Sequence, residues 1–226
     1  MSIEEFQYSQ AERDAIYRVI EERRDMRHFC GGTVEEKTLR KLLLAAHHGP
    51  SVGYMQPWRF IRITRTELRH SIHSLVNKER LQTAAALGKR SDEFMQLKLE
   101  GILECAELLI VSLTPDRDQY ILGRRTMPEM DLASTACAIQ NLWLAARAEG
   151  LGMGWVSLFD PVELTSLLGM PDNCKPVGIF CLGPVNDFYD KPMLEANGWD
   201  NRRDLDTLIF ENSWDSDKDH EKTVSS

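Results

Sequence analysis

The chain has 226 residues, 42% hydrophobic and 27% charged, with a formal net charge of −8 at pH 7. This length and apolar content suit a folded globular protein of one or two domains. The acidic balance argues against nucleic acid or an anionic membrane as a partner, because a negative surface is repelled by both. An anionic ligand must therefore be met by a local cluster of basic residues.

The cysteines and the N-terminal residues indicate the compartment. The chain has five cysteines, an odd number, and no C-x-x-C pair. The first residues, MSIEEFQYSQAERD, lack a basic region followed by an apolar run, and no apolar stretch reaches about 18 residues. No histidines stand at a metal-ligand spacing beside cysteine or acid. We therefore expect reduced thiols, a cytoplasmic location, no metal site and no membrane partner.

Two helices are predicted in the first fifty residues. Ser9 and Glu12 form a capping box, which predicts a helix from about Ser9 to about Arg23. Thr33 and Glu36 form a second capping box. The apolar positions that follow it recur at helical spacing and predict a second helix: Leu39, Leu42, Leu43 and Ala46.

The next segments predict a strand and then a helical excursion. Residues 58–64 alternate well enough for a strand, and residues 67–80 return to helical spacing. Residues 81–100 are polar and mixed in charge, with three alanines that favour helix and Gly88 that favours a break. We predict that this stretch is a mobile helical excursion.

The second half of the chain predicts the core. Residues 106–113 are apolar enough for a strand buried on both faces, and residues 131–149 form a helix so apolar that it is central or packed against a second subunit. Strands are predicted at 154–159 and 177–182. We therefore predict a single α+β domain over residues 1–214. The polar tail at 215–226 is predicted to be disordered.

The segment ERRDMRHF, residues 22–29, concentrates three arginines around Asp25 at the end of the first helix. Arginines in a last helical turn complement the helix dipole, and the aspartate then simply pairs with them. Alternatively, the guanidinium groups clamp a phosphate, for which their planar fork is suited. In that case the arginines hold Asp25 ionised with a lowered pKa, and it acts as a base or hydrogen-bond acceptor.

A glycine-rich turn, GLGMG at residues 150–154, lacks the spacing of a dinucleotide-binding loop. It suits a helix cap and a tight turn into a strand, or a place where backbone approaches a ligand closely. Ser157 follows, and by its pattern alone it suits a strand residue bonded to its own backbone. The common nucleotide, zinc and redox-disulfide motifs are absent from the sequence.

Five longer motifs carry a resemblance that covers about residues 9–214: RRDMR (23–27), PSVGYMQPW (50–58), LKLEGI (97–102), MDLASTACAIQNLWLAARAEGLGMGWVS (130–157) and NGW (197–199). Together they resemble the nitroreductase-like flavoprotein family. Within it they look like the BluB group of 5,6-dimethylbenzimidazole synthases, whose product is the lower ligand of vitamin B12. Generic nitroreductases usually have serine at the position of Asp25, so RRDMR supports the subgroup.

The resemblance implies a nitroreductase-like α+β fold with a central mixed sheet flanked by helices, in an interlocked homodimer that binds FMN between its subunits. It also implies the reaction. Reduced FMN would be the substrate and molecular oxygen the co-substrate, and the flavin would be cut apart to 5,6-dimethylbenzimidazole and erythrose 4-phosphate. A separate flavin reductase would supply the reduced FMN.

The resemblance further implies roles for individual residues. Asp25 and Ser157 are implied to take part in fragmentation, and residues 81–100 are expected to form a lid. The phosphate and ribityl end of FMN is implied to be held by Arg23, Arg24, Arg27 and, as a weaker candidate, Arg202. Pro50 and Ser51 are implied to reach the flavin from the other side. Gly152 and Gly154 are implied to let the backbone come close to the ring.

Two other functions stay open at this point. A conventional nitroreductase would keep FMN and pass electrons from NAD(P)H to a small acceptor. A non-catalytic FMN-binding protein would use Asp25 and Ser157 only to satisfy hydrogen bonds. The synthase is favoured because these two residues occur together inside the quoted motifs.

Overall fold

The computed structural model describes residues 3–214, so the tail predicted at 215–226 lies outside the described residues. The chain divides into two compact units, residues 1–190 and residues 191–226. The second unit contains α7 (Met193–Ala196) and a 3₁₀ helix, Leu205–Leu208. The single domain predicted over residues 1–214 stays a prediction.

The first unit carries the sheet and the longer helices. Its helices are α1 (Gln10–Glu22), α2 (Glu36–His47), α3 (Thr66–Leu87), α4 (Ser91–Gln96), α5 (Met130–Ala148) and α6 (Pro161–Leu167). Its strands are β1 (Trp58–Ile63), β2 (Glu107–Leu113), β3 (Gly152–Val156) and β4 (Lys175–Gly183). Among the described residues, no helix is long and apolar enough to cross a membrane.

The four strands form one sheet in the order β1-β2-β4-β3, and each neighbouring pair is antiparallel. The predicted mixed sheet is therefore wrong for these strands. The only parallel pairing within residues 3–214 is an isolated bridge between Asp25 and Met153. Strands β2 and β3 therefore run in the same direction, and β4 lies between them and runs in the opposite direction. The predicted α+β class is confirmed.

The core lies on both faces of β2, which is buried along its whole length as predicted. Leu109 and Val111 face one cluster, which includes residues of α2 and α5. Leu108 and Ile110 face the other, which includes residues of α3 and the α6 residue Leu164. Successive side chains of a strand point to opposite faces, so the apolar run of β2 serves both clusters.

The first capping box is confirmed and the second is wrong. The Ser9 amide donates to Glu12 Oε2 at 2.9 Å, and the Glu12 amide donates to Ser9 Oγ at 3.4 Å. At α2 the N-cap is Glu35, which makes no side-chain cap bond. Thr33 lies two residues before that cap, so its hydroxyl is not placed over the free amides of the first turn.

The predicted helical excursion is helical. Helix α3 continues past the expected end, Gly88 breaks the chain direction with a φ of +55°, and α4 follows. Arg80 Nη2 donates to the carbonyl oxygens of Met95 (2.6 Å) and Leu97 (3.0 Å), which ties α3 to the end of α4. We call residues 66–97 the α3–α4 hairpin.

Candidate active site

The segment ERRDMRHF leaves α1 and runs beside β3. Arg23 caps α1 in an extended conformation, and the Met26 amide donates to the Met153 carbonyl at 2.9 Å. Together with the Asp25–Met153 bridge, this bond places the segment along the outer edge of β3. The acid among the arginines therefore stands at a strand edge and not at the tip of a helix.

Asp25 is held by both of its carboxylate oxygens. Oδ1 accepts a hydrogen bond from the Trp155 amide at 2.9 Å, and Oδ2 accepts from Arg27 Nη2 at 2.5 Å. The same Arg27 nitrogen donates to the Trp155 carbonyl at 2.7 Å. The Asp25 side chain keeps 43% of its surface exposed, so a substrate group can reach a carboxylate whose orientation is fixed.

The pKa of Asp25 is raised above its ordinary value of 3.8 because burial disfavours the charged form. The positive charge of Arg27, the Trp155 amide and the charge of Arg23 each act to lower that pKa, and together they do not overcome burial. The arginines act in the direction we expected, but the expected net result, a pKa below the ordinary value, is wrong because burial outweighs them. A raised pKa brings the carboxylate closer to the pH at which a general base works well.

Arg27 is buried against β3, with 8% of its surface exposed. Its Nη1 is buried and, among residues 3–214, has no hydrogen-bond partner. A Cβ on Gly154 would lie 2.1 Å from the Met26 carbonyl oxygen and 2.7 Å from Arg27 Nη1. A Cβ on Gly152 would likewise meet Met26 Cγ at 3.2 Å. Both glycines thus make room for residues 22–29, which we call the arginine segment. Their direct contact with a ligand stays a prediction.

Arg23 and Arg24 contact other parts of the chain than Arg27 does. The Arg23 guanidinium lies 4.6 Å from the centroid of the Trp143 ring on α5. Arg24 Nη2 donates to the Asp190 carbonyl at 2.8 Å, and its buried Nε has no partner in the described part of the chain. The three arginines therefore surround the segment, and in this structure they do not converge on one point.

Ser157 lies directly after β3, beyond the strand end at Val156, and its side chain is exposed. The strand predicted at 154–159 is thus shifted, because the chain turns where the Phe159 amide donates to the Ser157 carbonyl at 3.2 Å. Trp155, which binds Asp25, is two residues earlier, roughly 7 Å along an extended chain. Ser157 and Asp25 therefore belong to the same end of the sheet.

Pro50 and Ser51 are not brought to Asp25 within one chain. Their loop is attached to α5, because the Val52 amide donates to Ser134 Oγ at 3.0 Å. Trp143 contacts the arginine segment. Ser134 is nine residues before Trp143 on α5, or roughly 14 Å away along the helix. Arg202 belongs to the second unit, and its role stays a prediction.

Two further residues hold the segment, and sequence reasoning missed both. Trp155 binds Asp25 and Arg27 with its backbone, which no side-chain motif reveals. Tyr189 Oη accepts hydrogen bonds from the amides of Arg27 (3.1 Å) and His28 (3.2 Å). Tyr189 is 162 residues from Arg27 in sequence, so no local signal marks it.

A family model described as Nitroreductase family matches residues 20–184. The chain belongs to the nitroreductase family. The match runs from the end of α1 to β4 and includes every strand of the sheet as well as Asp25, Arg27 and Ser157. The predicted nitroreductase-like fold is therefore confirmed.

Relatives with assigned names lie within this family. A 5,6-dimethylbenzimidazole synthase of Rhodospirillum rubrum is 40% identical over 195 residues, 84% of this chain and 92% of that protein. One of Rhodobacter capsulatus is 36% identical over 194 residues, covering 85% and 94%. A solved structure, oxidized iodotyrosine deiodinase bound to FMN and 3-iodo-L-tyrosine, has a TM-score of 0.70 at 20% identity and covers 88% of this chain and 100% of its own. That likeness shows the fold.

Proposed function

We propose that this protein fragments reduced FMN with molecular oxygen and releases 5,6-dimethylbenzimidazole and erythrose 4-phosphate. The observation that carries the proposal is Asp25, a half-exposed carboxylate of raised pKa held between Trp155 and Arg27. It occurs in a chain that is 40% identical to a 5,6-dimethylbenzimidazole synthase over 84% of its length.

The residues present fit a flavin phosphate. FMN carries a phosphate, a chain of hydroxyl groups and a ring with several acceptor atoms, so it needs cations and hydrogen-bond donors. Arg27 Nη1 and Arg24 Nε are buried donors that find no acceptor among the described residues. A buried donor without an acceptor carries a desolvation cost, and a ligand acceptor would remove it. Arg23 adds a third guanidinium at the same segment.

Each side chain has a definite task in this proposal. Bound reduced FMN supplies the electrons that oxygen accepts and the carbon atoms of the released product. Asp25 Oδ1 or Oδ2 accepts a proton from a ribityl hydroxyl, as a general base within hydrogen-bond reach does. Arg27 fixes the carboxylate in place, and Ser157 offers a hydroxyl at the same end of the sheet. Residues 81–100 exclude water as a lid.

We infer that two subunits complete the site in a homodimer. Helix α1 has no buried residue although Ile16, Tyr17 and Ile20 are apolar and exposed, and such a surface favours association. The loop at Pro50–Ser51 lies apart from Asp25 in one chain, so a partner's loop would reach the flavin from the other side. Sedimentation equilibrium tests this: a dimer mass is expected, and a monomer that still makes product would contradict it.

The remaining assignments complete the proposal. A separate flavin reductase supplies reduced FMN in the cytoplasm, as the resemblance to 5,6-dimethylbenzimidazole synthases implies. A conventional nitroreductase or a non-catalytic FMN-binding protein would share the fold, and both are outcomes of the following experiment.

The experiment mixes the purified protein anaerobically with excess reduced FMN and admits oxygen, with product detected by chromatography and mass spectrometry. The proposal predicts 5,6-dimethylbenzimidazole in proportion to enzyme. Recovery of intact FMN with hydrogen peroxide and no benzimidazole would overturn it. Turnover of NADPH with a small acceptor would then identify a nitroreductase. Tight FMN binding without turnover would identify a non-catalytic FMN-binding protein.

A further inference from the structure

Two buried thiols lie together on the α3 face of the sheet and have no part in the proposed reaction. Cys105 and Cys181 have 4% and 0% of their surface exposed, and both are free. Both belong to the same core cluster, and each acts on the pKa of the other. Cys181 is inside β4, which pairs with strands on both sides, whereas Cys105 lies in the turn that precedes β2.

Cys105 has the environment of a reactive thiol. It borders a pocket of about 460 Å³ together with Arg62, Arg69 and His70. Arg69 Nη1 lies 3.8 Å from Cys105 Sγ. The hydrogen bond from the Cys181 thiol and the charge of Arg69 lower the pKa of Cys105, which favours the nucleophilic thiolate. Burial raises the pKa of Cys181, which stays a thiol.

We propose that Cys105 and Cys181 are an oxidation site that hydrogen peroxide converts to a disulfide. The Cys105 thiolate attacks peroxide, the O–O bond breaks, and a sulfenic acid and hydroxide form. The Cys181 sulfur then attacks the Cys105 sulfur and the S–OH bond breaks; the leaving hydroxide takes the Cys181 proton, and the hydroxide from peroxide takes the proton that Cys105 lost when its thiolate formed. Two thiols and one peroxide thus give one disulfide and two waters. The source of peroxide, oxygen reacting with reduced FMN without fragmentation, and the effect on FMN affinity both rest on the proposed function, whereas the formation of the disulfide does not.

Closing the disulfide changes the support of Arg27. The two sulfurs must approach, and the turn at residues 101–105 moves more easily than β4, which is held on both edges. Gly101 in that turn packs against the arginine segment, since a Cβ on it would lie 2.9 Å from the Arg27 carbonyl oxygen. Cys181 is also the register partner of Gly154, which lies against Arg27 Nη1. Oxidation is therefore coupled to the candidate site and lowers its affinity for FMN.

The first experiment uses a background that keeps only this pair: Cys30→Ser, Cys137→Ser and Cys174→Ser. After peroxide treatment we expect loss of both thiols, a mass decrease of two hydrogens and a peptide that links Cys105 to Cys181. Adding Cys181→Ser leaves a Cys105 sulfenic acid that dimedone traps, whereas adding Cys105→Ser leaves Cys181 unreactive. Unmodified thiols after peroxide, or dimedone labelling of Cys181 alone, would overturn the proposal.

The second experiment measures binding of oxidised FMN, by quenching of its fluorescence, to the reduced and the oxidised pair. We expect the disulfide to weaken affinity about fivefold or more, with dithiothreitol restoring it. Equal affinities would overturn the coupling. If neither form binds FMN, the proposed function fails, while the linked peptide still decides the oxidation site by itself.

Discussion

At Asp25, burial and positive charge act on the pKa in opposite directions, and burial prevails. The pairing with Arg27 nevertheless keeps the pKa of Asp25 from rising further, so the arginine adjusts the basicity of the carboxylate as well as orienting it. As pH falls through the raised pKa, Asp25 gains a proton and can no longer accept one. Product formation should therefore be lost toward acid pH and recover as pH rises.

The pH profile of product formation tests this directly. In the wild type the rate should rise with pH through an apparent pKa above 3.8. Arg27→Gln removes a positive charge that lowers the pKa, so the profile should move to higher pH. Arg147→Gln is the control, because Arg147 pairs with Glu22 and is not among the charges that act on Asp25. Superimposable profiles for Arg27→Gln and wild type would refute the tuning role.

A glycine comparison tests the packing of the arginine segment. Gly154→Ala places a methyl group 2.1 Å from the Met26 carbonyl oxygen, and we expect it to lower the free energy of unfolding by about 1–3 kcal/mol and to abolish FMN binding. Gly150 has a φ of +74°, and a Cβ added there would meet no atom within 4 Å, so Gly150→Ala adds backbone strain of about 1–2 kcal/mol without a clash. Denaturant unfolding and FMN titration compare the two, and equal FMN affinity in both variants would argue against the role of Gly154.

The sequence named the residues of this site but not their arrangement. RRDMR marked Asp25 and its arginines, yet the direction of the pKa shift depends on burial beside Trp155, which is 130 residues away. Likewise the glycines were marked as places of close approach, and only the structure shows that Met26 and Arg27 are what approaches them.

At the scale of elements, two kinds of prediction are confirmed: those that rest on a local hydrogen-bonding motif and those that rest on a continuous apolar run. Helix α1 was predicted from a capping box that forms, and β2 from a run buried on both faces. The box at Thr33 did not form because a cap also needs the chain to turn at that residue, and the turn comes at Glu35. The end of β3 was misplaced because the turn after Val156 carries no glycine or proline signal.

The α3–α4 hairpin yields a prediction about water exclusion. Arg80 ties its two arms through Met95 and Leu97, so Arg80→Ala should loosen the lid. We expect less 5,6-dimethylbenzimidazole and more hydrogen peroxide per oxygen consumed, since a wet site favours release of peroxide. Lys89→Ala, an exposed position on the same hairpin, is the control and should keep the wild-type ratio. An unchanged ratio in Arg80→Ala would show that the hairpin does not govern access of water.

At the scale of the whole molecule, the order β1-β2-β4-β3 explains why one chain holds only part of the predicted site. The arginine segment lies along β3 at one edge, and the loop at Pro50–Ser51 precedes β1 at the other edge and is attached to α5. Helical and strand periodicity give the elements, and the apolar pattern of residues 131–149 left open whether that helix is central or packs against a second subunit. The homodimer came from resemblance and stays a proposal that the exposed face of α1 supports.

A single-turnover comparison decides whether Asp25 at the β3 edge drives flavin fragmentation. Reduced FMN is bound in equal amount to wild type and to Asp25→Asn, oxygen is admitted once, and benzimidazole and recovered FMN are both counted. We predict that the wild type converts bound FMN to 5,6-dimethylbenzimidazole, and that Asp25→Asn binds FMN but forms product about 100-fold more slowly or worse. Full recovery of FMN from the wild type, or equal product from both proteins, would contradict this account.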